Sequence, residues 1–311
     1  MAEALRPMST SELLDRTFTL YRRNFLLFAG IASVGPAAYL LFQLSLVGAA
    51  GLPAGRTATG NAFAGASIGI GFVLGVTVML AGMALSHAAT VKAVAAVHLG
   101  RETTIGGAYR SLKGRVLRIL GIFLAVILVV FGGALVLIFL ASMIAALAVG
   151  GGMQAGTGFG IAAGIVGLVV IIAAALGAIT IFVRYSLAVQ ACVVEDLKIR
   201  SSLKRSAFLS KGSRSRILTV YTVFAVLSWV VAFGLLMLVG VLTAVLGPGI
   251  FSVVATYVAS FISGALTGPL ATIGMSLVYY DERVRKEAFD LQLMMAGLDA
   301  PLPAPAGAGL Q

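Results

Sequence analysis

One cysteine, Cys192, and two histidines, His87 and His98, stand in a chain of 311 residues. A lone cysteine excludes an internal disulfide framework, and three such side chains are too few for a Cys/His metal cage. Charge is scarce too: 11% of residues are charged against 60% hydrophobic, and the mean hydropathy is +1.06. That balance excludes an ordinary soluble domain and points to an integral membrane protein. The scarcity is local. Six stretches contain no Asp, Glu, Lys or Arg at all: residues 25–47, 63–91, 119–149, 161–183, 217–246 and 250–280. Intramembrane chemistry and proton coupling usually need ionisable groups where the substrate passes. A carboxylate relay is therefore disfavoured, while a passive pore or a carrier using backbone carbonyls is compatible with the sequence. No catalytic residue, cofactor or metal is assigned.

What is present is a topology. A helix needs roughly 20 apolar residues to cross a ~30 Å hydrocarbon core, so each stretch is one span and the longer ones tilt or project beyond the lipid. The first is followed by small residues, Ala49 and Ala50, but exceeds the usual ~7–15 residues of a signal h-region. It is read as an uncleaved span. Six spans place both termini on one side, and 21 of the 22 basic residues fall there, with only Arg56 opposite. The positive-inside rule makes that side cytoplasmic. All 11 acidic residues share it, which leaves that face at +10. The excess of positive charge is thus a topology signal, and nucleic acid is not needed to explain it.

The predicted fold is all-α: a polytopic membrane protein of six transmembrane helices in three pseudo-repeats, each an amphipathic helix followed by a helical hairpin. Apolar residues at helical spacing precede each pair of spans: Leu13, Leu14, Phe18 and Tyr21; then Ile105, Ala108, Tyr109, Leu112 and Val116; then Ile199, Leu203 and Phe208. Ser9 and Glu12 form a capping box at the start of the first. Arg16-Thr17, Arg110-Ser111 and Arg205-Ser206 recur at intervals of 94 and 95, and Arg23, Arg118 and Arg216 then lead into the spans. The repeats run about 9–98, 99–194 and 195–280 within a membrane domain of 1–298. A C-terminal amphipathic helix over 281–298 carries Val284, Ala288, Leu291, Met295 and Leu298 on one stripe. Residues 299–311, rich in Pro, Ala and Gly, read as a disordered tail.

The remaining features have bland readings that outweigh the sharp ones. Gly152, Gly156, Gly160 and Gly164, with Gly65/Gly69, Gly71/Gly75 and Gly264/Gly268, recur every fourth residue and predict close helix packing. Pro36, Pro248 and Pro269 kink or end spans, and Gly268-Pro269 is the best candidate for a break in span six. Lys211-Gly212-Ser213 lacks the order of a phosphate loop. Glu195-Asp196 and Asp281-Glu282 are expected as solvated ion pairs, although four carboxylates meeting in one pocket would allow acid–base work. His87 is expected either to hydrogen-bond a neighbouring helix or to sit at the membrane interface, and Cys192 to be a buried small residue. Arg16, Arg110, Arg205, Arg23, Arg118 and Arg216 are the candidate site residues, expected to engage anionic phospholipid head groups or a protein partner.

The stretches 279–291, YYDERVRKEAFDL, 6–25, RPMSTSELLDRTFTLYRRNF, and 195–212, EDLKIRSSLKRSAFLSKG, resemble bacterial glycerophosphoryl diester phosphodiesterase membrane-domain proteins. The resemblance takes in the membrane domain only; the soluble barrel of some members, with its catalytic His, Glu and Asp, has no counterpart here. It implies a multi-span protein of the bacterial inner membrane with a link to glycerophospholipid metabolism and no established activity of its own. Together with the basic face, it leads to the expectation of a non-enzymatic, lipid-interacting or scaffolding membrane protein. The alternative is a transporter or channel for a small or lipidic solute.

Overall fold

The computed structural model describes residues 7–50, 62–98, 100–133, 135–140, 142, 143, 146, 157–288 and 295, and among them no strand occurs. Six helices are long and apolar enough to cross a membrane: Phe25–Leu46, Gly71–His98, Val116–Leu140, Gly164–Glu195, Arg214–Leu246 and Ile250–Glu287. By length and composition the chain is a multi-pass helical membrane protein.

Helix α1, Thr10–Arg23, begins at the Ser9 capping box: the Ser9 hydroxyl accepts from Glu12 N–H, and the Glu12 carboxylate accepts from Ser9 N–H at 2.7 Å. Span one follows in two pieces, α2 (Phe25–Ala32) and α3 (Val34–Ala50), interrupted at Ser33. Pro36 has no N–H to offer the carbonyl four residues back, and the helix opens just ahead of it. Span two lies in the 37-residue α4, Ala62–His98. The short α5, Ile105–Arg110, is capped by the Thr104 hydroxyl, and span three starts as α6, Val116–Ile127, before a π-helical turn at Leu128–Gly132. Span four is α7 (Thr157–Tyr185) and α8 (Ala188–Glu195), broken at Ser186-Leu187. After α9, Ile199–Leu209, come span five in α10, Arg214–Leu246, and span six in α11, Ile250–Glu287.

Two expectations change. Pro269 sits inside α11 and does not break it; the span breaks fall at Ser33 and Ser186-Leu187, and Pro248 lies in the turn joining α10 to α11. The stretch 281–287, assigned to a separate C-terminal amphipathic helix, is the last part of α11, which stops where Ala288 turns left-handed at φ 49°. At ~1.5 Å per residue this 38-residue helix is about 57 Å long, so its charged end projects past a ~30 Å core. Met295 aside, the remainder of that stripe and the Pro/Ala/Gly tail lie outside the described residues, as do Arg6, Arg56, Gly152 and Gly156.

Helices α4, α8 and α11, which belong to spans two, four and six, touch one another and form the centre. Around them α11 packs on α2 and α3, α4 packs on α6, and α7 packs on α10. Short helices lie across neighbouring spans: α5 on α2, α9 on α6, and α1 on α11 and α10. Glycine makes several of these approaches possible. A Cβ on Gly30 would lie 2.6 Å from Ile105 Cδ1, and one on Gly121 2.6 Å from Ile199 Cδ1, so the first residues of α5 and α9 rest in equivalent notches. Gly82 abuts Ala38, Gly264 abuts Pro36, and Gly75 abuts Phe42, whereas Gly71, Gly164 and Gly268 face open space. The four-residue period alone does not say which glycine meets a neighbour; the surroundings of Gly65, Gly69 and Gly160 are not described.

The core is one-sided. Leu13, Phe28, Ala88, Leu187, Leu209, Ile217, Ile273 and Tyr279 are sealed at the end bearing the charges. Toward the far end apolar side chains stand open, with Val245 77% and Ile250 66% exposed, as lipid contact permits.

Candidate functional site

The charged end is organised by the last turns of α11. Asp281 and Glu282 follow a run of buried residues, and the continuing helix carries them under α1, α9 and the start of α10. Their side chains are 0% and 1% exposed, so the expected solvated pairs are buried pairs instead. Asp281 accepts from Met8 N–H at 2.6 Å, from Arg285 Nε at 2.7 Å and from Arg216. Arg216 and Arg285 then both donate to the Met8 carbonyl, at 2.8 and 2.6 Å, which fixes the chain just before α1. Glu282 accepts from the Ser213 hydroxyl at 2.6 Å and pairs with Lys286 at 3.2 Å. Lys286 also donates to the carbonyls of Leu209 and Lys211, the open carbonyls beyond α9.

A second cluster joins α8, α9 and α11. Glu195 accepts from Arg205 at 2.9 and 3.0 Å and from the Tyr279 hydroxyl, with Arg283 3.5 Å away. Arg205 forks onward to Glu287. The hydrogen bond to Glu287, with Glu195 adding to it, holds the Arg205 guanidinium above its ordinary pKa against the opposing effect of burial. Asp196, 45% exposed, forms a third and wetter cluster with Arg115 at 3.2 Å and Arg118 at 2.5 Å. The two paired-carboxylate motifs are thus spread over three clusters, and each carboxylate touches a cation. Their oxygens serve ion pairs and backbone donors, an arrangement that ties elements together.

The candidate arginines divide. Arg205, Arg118 and Arg216 are engaged by Glu195 and Glu287, by Asp196, and by Asp281 and Glu282. Arg23 and Arg110 are exposed and Arg16 is half-buried. The motif arginines at matching sequence positions thus differ in exposure, and Arg205 is the one set between Glu195 and Glu287 in a part-buried cluster.

Sequence reasoning missed a set of hydroxyls. Tyr109 on α5 donates to the Ile31 carbonyl at 2.8 Å, and Ser86 reaches the carbonyls of Ile31 and Ala32, the latter being the one deprived by Pro36. Tyr21 on α1 donates to Leu266 at 2.7 Å, in the turn ahead of Pro269. Ser206 and Ser210 on α9 donate to Arg184, at the break in span four. Backbone groups opened inside a span need such partners because lipid offers none. The amphipathic spacing of the short helices is the only sequence signal that could have pointed there.

Polar groups within the bundle are sparse. His87 Nδ1 lies 3.2 Å from the Thr272 hydroxyl on the neighbouring span, the first of the two placements expected for it. His98 lies against the Tyr280 ring. Gln190 is 1% exposed, and its Oε1 has no hydrogen-bond partner among the described residues. At the far end a shallow groove of about 370 Å³ between α10 and α11 is lined by Thr243, Ser252 and Thr256. Each of these hydroxyls donates to a carbonyl of its own segment. The chain matches no family model, no curated protein and no solved structure.

Proposed function

We propose that this is a non-enzymatic, lipid-interacting scaffold of the bacterial inner membrane, with the charged end and both termini in the cytoplasm. The observation that carries the reading is the division of the basic residues. Ion pairs absorb Arg205, Arg216, Arg283, Arg285, Lys286, Arg115 and Arg118. Arg23, Arg110, Lys113, Lys204, Lys211 and Arg214 remain exposed on the short helices and the turns beside the span ends. Each such residue near an anionic leaflet adds about 1 kcal/mol of attraction, which salt weakens. The belt would gather anionic phospholipid head groups or an acidic protein partner.

The three-repeat reading is supported by the cyclic order of contacts: α5 lies on the first hairpin, α9 on the second and α1 on the third. The glycine notches under Ile105 and Ile199 support it as well. The resemblance to glycerophosphoryl diester phosphodiesterase membrane domains supports the bacterial setting and a glycerophospholipid connection. A carrier for a small or lipidic solute is the second reading, and buried Gln190, whose oxygen has no partner among the described residues, is the feature that favours it.

The test is native mass spectrometry of gently solubilised protein, comparing wild type with Arg23→Gln/Arg110→Gln/Lys204→Gln/Lys211→Gln. These positions are exposed and outside the ion clusters, so the fold should survive. The scaffold reading expects retained anionic phospholipid in the wild type and its loss in the variant. Equal retention in both, or none in either, would sink it.

A further inference from the structure

Span four breaks at Ser186-Leu187, where there is neither glycine nor proline to explain the interruption. What fills the gap comes from another helix. Ser206 Oγ accepts the Leu187 N–H at 3.2 Å and donates to the Arg184 carbonyl at 2.8 Å, so one hydroxyl stands between a donor and an acceptor of the opened helical ladder. Ser210 adds a weaker bond to the same carbonyl at 3.4 Å. Both serines are fully buried, so bulk water does not reach the gap in this arrangement. A side chain inserted into the ladder is a recognised cause of a helix kink.

The two sides of the break differ in packing. On the near side every residue of α8 from Ala188 to Val193 is buried. On the far side the outer part of α7 is largely open: Ile165, Leu168, Ile172 and Leu176 are each more than half exposed, and Gly167 and Ala174 are the buried exceptions between 164 and 176, while nearer the break Gly177 meets Leu137 of span three and Phe182 packs on Tyr221 of α10. A rigid segment, a sparsely packed lever and a hydroxyl-filled joint between them make a hinge. The joint is also tied to the charged end, because Arg205, adjacent to Ser206, is held by Glu195 at the end of α8 and by Glu287 at the end of α11. The break in span one is unlike this. There α3 is pinned to α4 beyond the break, with Gly82 against Ala38.

We infer that α9 is a latch on a hinge in span four: while Ser206 occupies the gap the span is held in one bend, and withdrawal of α9 frees α7 to swing in the membrane. The latch does not depend on the lipid-scaffold reading. Any event at the charged end that draws Arg205 away from Glu195 and Glu287 would carry Ser206 with it. Movement would then be delivered to the far end of one span while the central helices stay packed.

The test uses the full chain in nanodiscs, in a Cys192→Ala background. Spin labels at Leu168→Cys and Leu242→Cys report the separation of α7 from α10, and deuterium uptake reports the amides of 184–188. Ser206→Ala is expected to shift or broaden the distance distribution by about 5 Å or more and to speed exchange at the break about tenfold, roughly the effect of one buried hydrogen-bonding group. Ser202→Ala, whose hydroxyl serves its own helix through Lys198, is expected to change neither. Faster exchange with an unchanged distance would reduce Ser206 to a static plug and overturn the latch, as would no change in either readout. If Ser206→Ala does not fold, Ser210→Ala, which removes only the weaker bond, is read instead: a smaller change of the same sign supports the latch, and none overturns it.

Discussion

Asp281 has no exposed side-chain surface, so its charge is balanced entirely by Met8 N–H, Arg216 and Arg285. Removing one member of such a buried set leaves an uncompensated charge in a medium that solvates it poorly, which typically costs about 3–5 kcal/mol. An ion pair open to water behaves differently, because the solvent takes over when a partner goes, and the loss is about 1 kcal/mol or less. Arg216→Leu, which strips cover from both Asp281 and Glu282, is therefore expected to lower stability by about 3 kcal/mol. Arg118→Leu at the half-exposed Asp196 pair is expected to lower it by no more than about 1 kcal/mol. Unfolding by SDS titration in mixed micelles compares the two, and equal losses would show that burial does not distinguish the clusters.

At the scale of elements, the glycines separate contact from mere composition. A methyl on Gly82 would sit 2.5 Å from the Ala38 Cβ, an atom that cannot rotate away, so Gly82→Ala must push α3 from α4. Overpacking of that kind costs about 1–3 kcal/mol. Gly234, in the middle of α10, has nothing within 4 Å of its would-be Cβ. There alanine brings only its better helix propensity, and Gly234→Ala is expected to be neutral or stabilising by up to about 1 kcal/mol. Urea or SDS unfolding of the two variants checks this, and a loss at Gly234 matching that at Gly82 would contradict the packing described. The sequence lets one see the spans but not this difference. An uncharged run of more than twenty apolar residues has few physical outcomes, so 25–47 or 250–280 declares itself locally. The break at Ser186-Leu187 does not, because its cause is a serine nineteen residues later on a different helix. The burial of Asp281 is hidden for a similar reason: a carboxylate just past an apolar run looks solvated until Met8, 273 residues away in sequence, is laid over it. The capping box at Ser9 was legible because all its parts lie within four residues.

For the whole molecule, the asymmetry of charge and the asymmetry of packing coincide. Among the described residues the sealed core and the ion clusters share one end, and the opposite end presents mainly apolar side chains. If the basic end faces the cytoplasm, as the placement of 21 of the 22 basic residues predicts, the firm end of the bundle meets the anionic leaflet. The end with the exposed apolar side chains then lies toward the outer leaflet. This orientation fixes which residues an impermeant reagent can reach. In a Cys192→Ala background, Pro248→Cys in the exposed turn between α10 and α11 should react with a membrane-impermeant maleimide added to intact spheroplasts. Lys113→Cys, exposed beside α5, should react only after the membrane is opened. The reverse pattern would put the basic belt on the outside, where it would lack the anionic leaflet that gives it a role, and would remove the ground for a lipid scaffold even if every helix contact stood as described.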